Sequence, residues 1–159
     1  MIDVIKKEIG PLPKNGSTYF FSDGTWSTYE LIEYILDTIP PSDVILTSFS
    51  ISEDSLRHLL YLKESGKIKT LTGLFDPSIR KTKTPLLYFA DEIFDKIRLG
   101  ANHTKITLFY NKTRPVMLSG SANLGRNRRL ETGVIDTDPK VFDFFHKYVQ
   151  EYILSAQPI

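Results

Sequence analysis

The chain contains no cysteine, which removes disulfides, thiolate metal sites and cysteine nucleophiles from consideration. No stretch approaches the ~18 consecutive apolar residues of a membrane-spanning helix. The N-terminal run MIDVIKKEIGPLP lacks the apolar core of a signal peptide, so the expectation is a soluble, cytoplasmic protein. Neither sign of charge dominates: 20 Lys and Arg against 19 Asp and Glu leave a net charge of +1. A polyanionic partner would therefore be met by local patches, not by a global field. Histidine is scarce, with three copies, and no H-E-x-x-H string or paired-carboxylate motif accompanies them. No metal and no cofactor are expected.

What is present is an ordinary globular composition. With 159 residues, 41% hydrophobic and 25% charged, a single domain is the default, able to bury roughly two thirds of its surface. Residues 1–16, broken by Gly10-Pro11-Leu12-Pro13 and Asn15-Gly16, read as a frayed extension. Ser17 to Phe21 reads as a first strand. Ser27 and Glu30 form a capping box that opens a helix with Leu31, Ile35 and Ile39 on one stripe. Asp43 to Ile51 reads as a strand, and Ser52 caps a second helix that Gly66 ends. Lys67 to Phe75 is another strand, and Pro85 starts a helix with Leu86, Ala90, Ile93 and Ile97 in register. Four β-like runs follow: IRLGA, TKITLFY, PVMLSG and ETGVID. Asp138-Pro139 caps a last helix with Val141, Phe145, Tyr148 and Tyr152 as its apolar stripe, His146 facing away. The pattern predicts an α/β domain, a mixed β-sheet flanked by helices.

Two short strings carry the chemistry: His103-Thr104-Lys105 and Gly120-Ser121-Ala122-Asn123. On strands, residues two apart share a face, so His103 would sit with Lys105 and Ser121 with Asn123. Pairing of the two strands across the turn Asn111 to Arg114 would gather all four groups. A neutral imidazole attacks phosphorus, an ammonium neutralises non-bridging oxygens, and hydroxyl and carboxamide donate to the same oxygens. Glu131, on the following strand, is placed to accept from a histidine ring nitrogen and fix its tautomer, or to pair with Arg128 or Arg129. Two basic clusters suit a phosphate backbone: Arg126, Arg128 and Arg129 just after Asn123, and Arg80, Lys81 and Lys83. His58 and His146 read as ordinary helix residues, and Trp26 and Tyr29 as core.

These residues resemble the phospholipase D superfamily, whose signature is H-x-K-x4-D followed by G-S-x-N; the match runs from His103 to about Glu131. The resemblance implies a phospholipase D-like domain over residues 17–159 and a phosphodiesterase that works through a phosphohistidine. It assigns catalysis to His103, Lys105, Ser121, Asn123 and Glu131, with Arg126, Arg128 and Arg129 as substrate-binding residues. Tyr110 stands where the family has Asp, an acid that some active branches, such as tyrosyl-DNA phosphodiesterases, also lack. In the family one histidine attacks and a second protonates the leaving oxygen. This chain has one H-x-K string, so the resemblance implies a homodimer sharing one site, as in the small bacterial endonucleases of the superfamily. Nucleic acid is the expected substrate. A phospholipase or phosphatidyltransferase, or a degenerate binding module, are the alternatives.

Overall fold

The computed structural model describes residues 1–126 and 128–159. Seven strands form one mixed sheet: β1 (Ser17–Ser22), β2 (Ser42–Ser48), β3 (Ile68–Phe75), β4 (Lys96–Leu99), β5 (Ile106–Tyr110), β6 (Val116–Gly120) and β7 (Glu131–Asp136), in the order β1-β7-β6-β5-β2-β3-β4. β2, β3 and β4 run parallel, while β5, β6, β7 and β1 add as antiparallel neighbours. The helices are α1 (Ile2–Ile9), α2 (Thr28–Leu36), α3 (Glu53–Glu64), α4 (Ile79–Thr82), α5 (Thr84–Ile93) and α6 (Pro139–Ser155). The expected α/β architecture is present.

Local signals set the helix ends. Ser27 accepts from the Glu30 amide while the Glu30 side chain returns to the Ser27 amide, opening α2. Ser52 does the same for α3 with Ser55 as its reciprocal partner. Gly66 takes φ 77°, the left-handed conformation in which the Lys67 amide reaches back to Leu62 and ends α3. Asp138 caps α6, with proline in the first turn.

The sheet is covered unequally. A large core joins its first face to α1, α2, α3 and α5, with Leu31, Ile35, Leu46, Leu56, Leu71 and Phe109 fully enclosed. A smaller core on the other face joins Ile45, Leu108 and Met117 to Phe142, Val149 and Ile153 of α6 alone. β2 therefore buries both faces, which is why it reads as a continuous apolar run and not as an alternation.

Four expectations need correction. The N-terminal segment is not frayed: α1 buries Ile5 and Ile9 against the main core, and Tyr34 donates to the Gly10 carbonyl at 2.5 Å. The helix expected from Pro85, α5, stops at Ile93, and Ile97 belongs to β4. On α6 the buried stripe is Phe142, Val149 and Ile153, with Val141 and Phe145 half-buried, whereas Tyr148 and Tyr152 lie exposed. His146 does not point away; its ring stacks on Phe142 and Tyr110. Helical periodicity located the helix but chose the stripe next to the right one, because aromatic residues occupy both.

Candidate active site

The strand register defines one end of the sheet. The parallel strands β2 and β3 finish there at Ser48 and Phe75, β5 begins opposite Thr47, β6 ends at Gly120, and β7 begins at Glu131 opposite the end of β1. Ligand sites of open α/β sheets form beyond the carboxyl ends of parallel strands. His103, Lys105, Ser121, Asn123 and Glu131 all lie at this end.

His103 and Lys105 are not on a strand as expected: β5 starts at Ile106, and both precede it in an extended loop. The Lys105 ammonium reaches back to the His103 ring Nδ1 at 3.0 Å and to the His103 carbonyl at 2.7 Å. An ammonium has no lone pair, so Nδ1 is the acceptor and the neutral ring carries its proton on Nε2. Burial holds the Lys105 ammonium below the usual lysine range, and the negative charge of Glu131 opposes that shift. The phenyl ring of Phe49 lies 5.0 Å from the imidazole, centroid to centroid, tilted against one face.

Ser121 and Asn123 likewise fall just past β6, which ends at Gly120. Gly120 pairs with Gly133 of β7, and the Gly120 amide donates to the Lys105 carbonyl at 3.2 Å, tying the two motifs together. The Ser121 hydroxyl donates to the Glu131 carboxylate, and the Ser121 amide donates to the Thr132 carbonyl at 2.9 Å. Glu131 thus meets Ser121 and the field of Lys105, while the recorded partner of the His103 Nδ1 is Lys105. Asn123 is positioned from behind: Thr28 donates to its carbonyl at 3.2 Å, and the buried Ser48 hydroxyl approaches its side-chain oxygen at 3.4 Å. Ser48 also accepts from the Leu124 amide at 3.1 Å. With its oxygen turned toward Ser48, the Asn123 carboxamide can serve as a donor through its NH2, which meets no acceptor among the described residues.

Lys105, Gly120, Ala122 and Glu131 line a cleft whose other wall is apolar, formed by Phe20, Trp26, Leu31 and Leu118. Trp26 and Tyr29 are buried, as expected of core residues. His58 pairs with Glu33 at 2.8 Å on the helical layer, outside the site. Arg126 reaches Glu30 at the start of α2 at 3.6 Å, which keeps it beside the cleft; Arg128 and Arg129 are exposed. In the other cluster, Lys83 donates to the Ser50 hydroxyl and the Ile51 carbonyl, both at 2.8 Å, so it borders the same end of the sheet.

Ser48 and Phe49 were not singled out in the sequence. Their signal was the polar ending of an otherwise apolar strand, Thr47-Ser48-Phe49-Ser50. Tyr110 is five residues beyond Lys105 along β5, ~17 Å away at strand spacing, opposite Asp43 at the far end of β2. It stacks on Phe142 and His146 of α6. The substituted family position therefore lies at the other end of the sheet from His103. Among the described residues, no three His, Asp or Glu side chains gather as a metal site, and no helix is long and apolar enough to cross a membrane.

No family model and no curated protein matches the sequence. Solved structures do match. Nuc from Salmonella typhimurium, a phospholipase D family member, superposes with a TM-score of 0.69 at 17% identity, over 90% of this chain and 97% of that one. NucT from Helicobacter pylori gives 0.68 at 15% identity, over 90% and 99%. A phosphatidylserine synthase from Haemophilus influenzae gives 0.67 at 15% identity, over 93% of this chain and 41% of that one. The chain thus has the phospholipase D superfamily fold.

Proposed function

We propose that the protein is a metal-independent phosphodiesterase, a nuclease, in which His103 forms a phosphohistidine and a second copy of the chain completes the site. The observation that carries this reading is the convergence of His103, Lys105, Ser121, Asn123 and Glu131 at one end of a phospholipase D-type sheet. In the reaction the His103 ring attacks phosphorus, forming an N–P bond as the P–O bond to the leaving group breaks. Lys105 and the Asn123 carboxamide stabilise the charge on the non-bridging oxygens. Water then breaks the N–P bond and releases the phosphomonoester.

In-line displacement places nucleophile and leaving oxygen on opposite sides of phosphorus. A single imidazole cannot occupy both, and His58 and His146 lie elsewhere. A two-fold dimer supplies the missing acid by setting the His103 of each subunit across the axis. The thinly covered sheet face supports this assembly. Phe144, Tyr148 and Tyr152 of α6 are 58%, 59% and 43% exposed, and the groove that Phe144, Tyr148 and Tyr152 line also includes His103. Nucleic acid is favoured as substrate by Arg126, Arg128 and Arg129, which follow Asn123 directly. The apolar wall of the cleft keeps a lipid phosphodiester as the second reading.

The test is incubation of the purified protein with DNA, RNA, a phospholipid and a generic aryl phosphodiester in EDTA, beside His103→Ala. Cleavage that survives EDTA and vanishes in the variant is expected. Equal cleavage by the variant, or complete loss in EDTA, overturns the mechanism. A monomer at micromolar concentration by sedimentation that still cleaves diesters overturns the shared site.

A further inference from the structure

The residue between His103 and Lys105 is the variable position of the H-x-K string, yet here its hydroxyl, amide and carbonyl are all hydrogen-bonded. The Thr104 hydroxyl lies 2.6 Å from the Asn102 Oδ1 and 2.8 Å from the Thr47 hydroxyl. The Thr104 amide donates to the same Asn102 oxygen at 3.2 Å, and the Asn102 NH2 returns to the Thr104 carbonyl at 3.3 Å. Thr47 meanwhile accepts from the Ile106 amide at 3.0 Å. The Asn102 amide donates to Asp76 beyond β3 at 3.3 Å.

The proton directions in this chain are fixed. The Asn102 Oδ1 carries no proton, so Thr104 donates to it. That uses the only hydroxyl proton of Thr104, so Thr47 donates to Thr104. One relay therefore runs from the β2 end through Thr104 to Asn102. Asn102 and Thr47 are buried, with 6% and 3% of their surface exposed, whereas His103 is exposed. This is the arrangement of an anchored loop that presents an imidazole, and it accounts for why the motif stops short of β5. A strand conformation would pair the Thr104 backbone in the sheet; instead its amide and carbonyl both close on Asn102.

We propose that Thr104, Asn102 and Thr47 are positioning residues that set the orientation of the His103 ring and its contact with Lys105. The inference rests on the assignment of His103 as nucleophile. Asp76 supports the same loop: hydrogen bonds from Ser78 hold its carboxyl below the usual range, and the Asn102 amide adds to this.

The test compares Thr104→Val, which keeps the shape and removes the hydroxyl, with Thr104→Ser, which keeps the hydroxyl. Asn102→Ala is a second variant, which removes both the acceptor oxygen and the NH2 that close on Thr104. Aryl phosphodiester turnover and imidazole NMR are read on the same samples, with His103 assigned among the three histidines by His103→Gln. Thr104→Val and Asn102→Ala are expected to lower kcat ~10–100-fold with KM little changed, as for a displaced reacting group. Their His103 ring signals should shift or broaden. Thr104→Ser should recover most of the loss. Wild-type kcat together with wild-type His103 signals in Thr104→Val overturns the proposal. Absence of turnover in the wild type refutes the catalytic reading instead, and the NMR comparison still decides whether Thr104 holds the ring.

Discussion

Gly120 opens the G-S-x-N string, and the structure gives its absence of a side chain a specific reason. Its φ is not positive, so backbone conformation does not require glycine. Space does. A Cβ at position 120 would stand 2.8 Å from the Thr132 carbonyl oxygen and 3.3 Å from the Gly133 Cα, where ordinary contact begins at 3.4 Å. Both obstacles are backbone of the neighbouring strand, so no rotamer change relieves them. β6 and β7 must part by about half an ångström, and overpacking of this kind costs ~1–3 kcal/mol. The damage is local to the site. The same Thr132 carbonyl accepts the Ser121 amide at 2.9 Å, and the Thr132 amide donates to the Ser121 hydroxyl at 3.0 Å. Gly120→Ala is therefore expected to lose stability in urea unfolding followed by circular dichroism, and to lower diesterase turnover by displacing Ser121 from Glu131. Gly125→Ala is the milder comparison: its Cβ would stand 3.3 Å from the Ser52 hydroxyl and 3.5 Å from the Ser52 Cβ, so a shift of about a tenth of an ångström accommodates it. Equal stability and turnover for both variants would refute the argument.

The Lys105 ammonium titrates below the usual lysine range, so the alkaline limb of the pH–rate profile should fall early. Glu131→Gln removes the charge that opposes the shift and should move that limb lower still; an unmoved limb counts against Lys105 as the titrating group. Burial pushes the Asp95 carboxyl up, but Lys63 at 2.9 Å and the Leu71 amide at 2.7 Å outweigh it and hold it below its usual range. A depressed folded pKa contributes stability that is present at neutral pH and lost as pH falls below ~4. Asp95→Asn should cost ~1 kcal/mol or less at pH 7, given its half-exposed side chain, and less in acid; an equal cost at both pH values refutes the linkage. Tyr110→Ala should lower stability by ~1 kcal/mol through loss of its stacking on α6 while leaving the KM and kcat of the diesterase reaction intact.

Much of this was legible in residues whose physics is local. Ser27 with Glu30, Ser52, Gly66 and Asp138-Pro139 marked helix ends because caps act within one turn. The β5–β6 pairing followed from a short turn, and the motifs placed five polar groups at one end of the sheet. What the sequence did not reveal depends on distant partners. Ile5 and Ile9 turn an apparently frayed segment into a packed helix only because α2 lies beside it. Tyr148 and Tyr152 have the period of a buried stripe, yet Phe142, Val149 and Ile153 face the sheet. The motifs themselves sit in loops rather than on strands, because Asn102 and Ser48 capture backbone groups that a longer β5 or β6 would have used.

That loop geometry bears on how one imidazole is prepared. In the lone chain the His103 Nδ1 accepts from Lys105, which leaves the neutral ring protonated at Nε2. A phosphodiester presents oxygens that attract the same ammonium more strongly than a neutral nitrogen does. As Lys105 turns to the phosphate, Nδ1 loses its donor and is free to take up the proton, provided that an acceptor stands beside it. A carboxylate serves that need, and Glu131 is the acid of the constellation. Its Ser121 hydrogen bond keeps it at the edge of the cleft. On the proposed mechanism the lysine contact is thus a resting arrangement, and the nucleophilic tautomer forms when a phosphodiester draws Lys105 away.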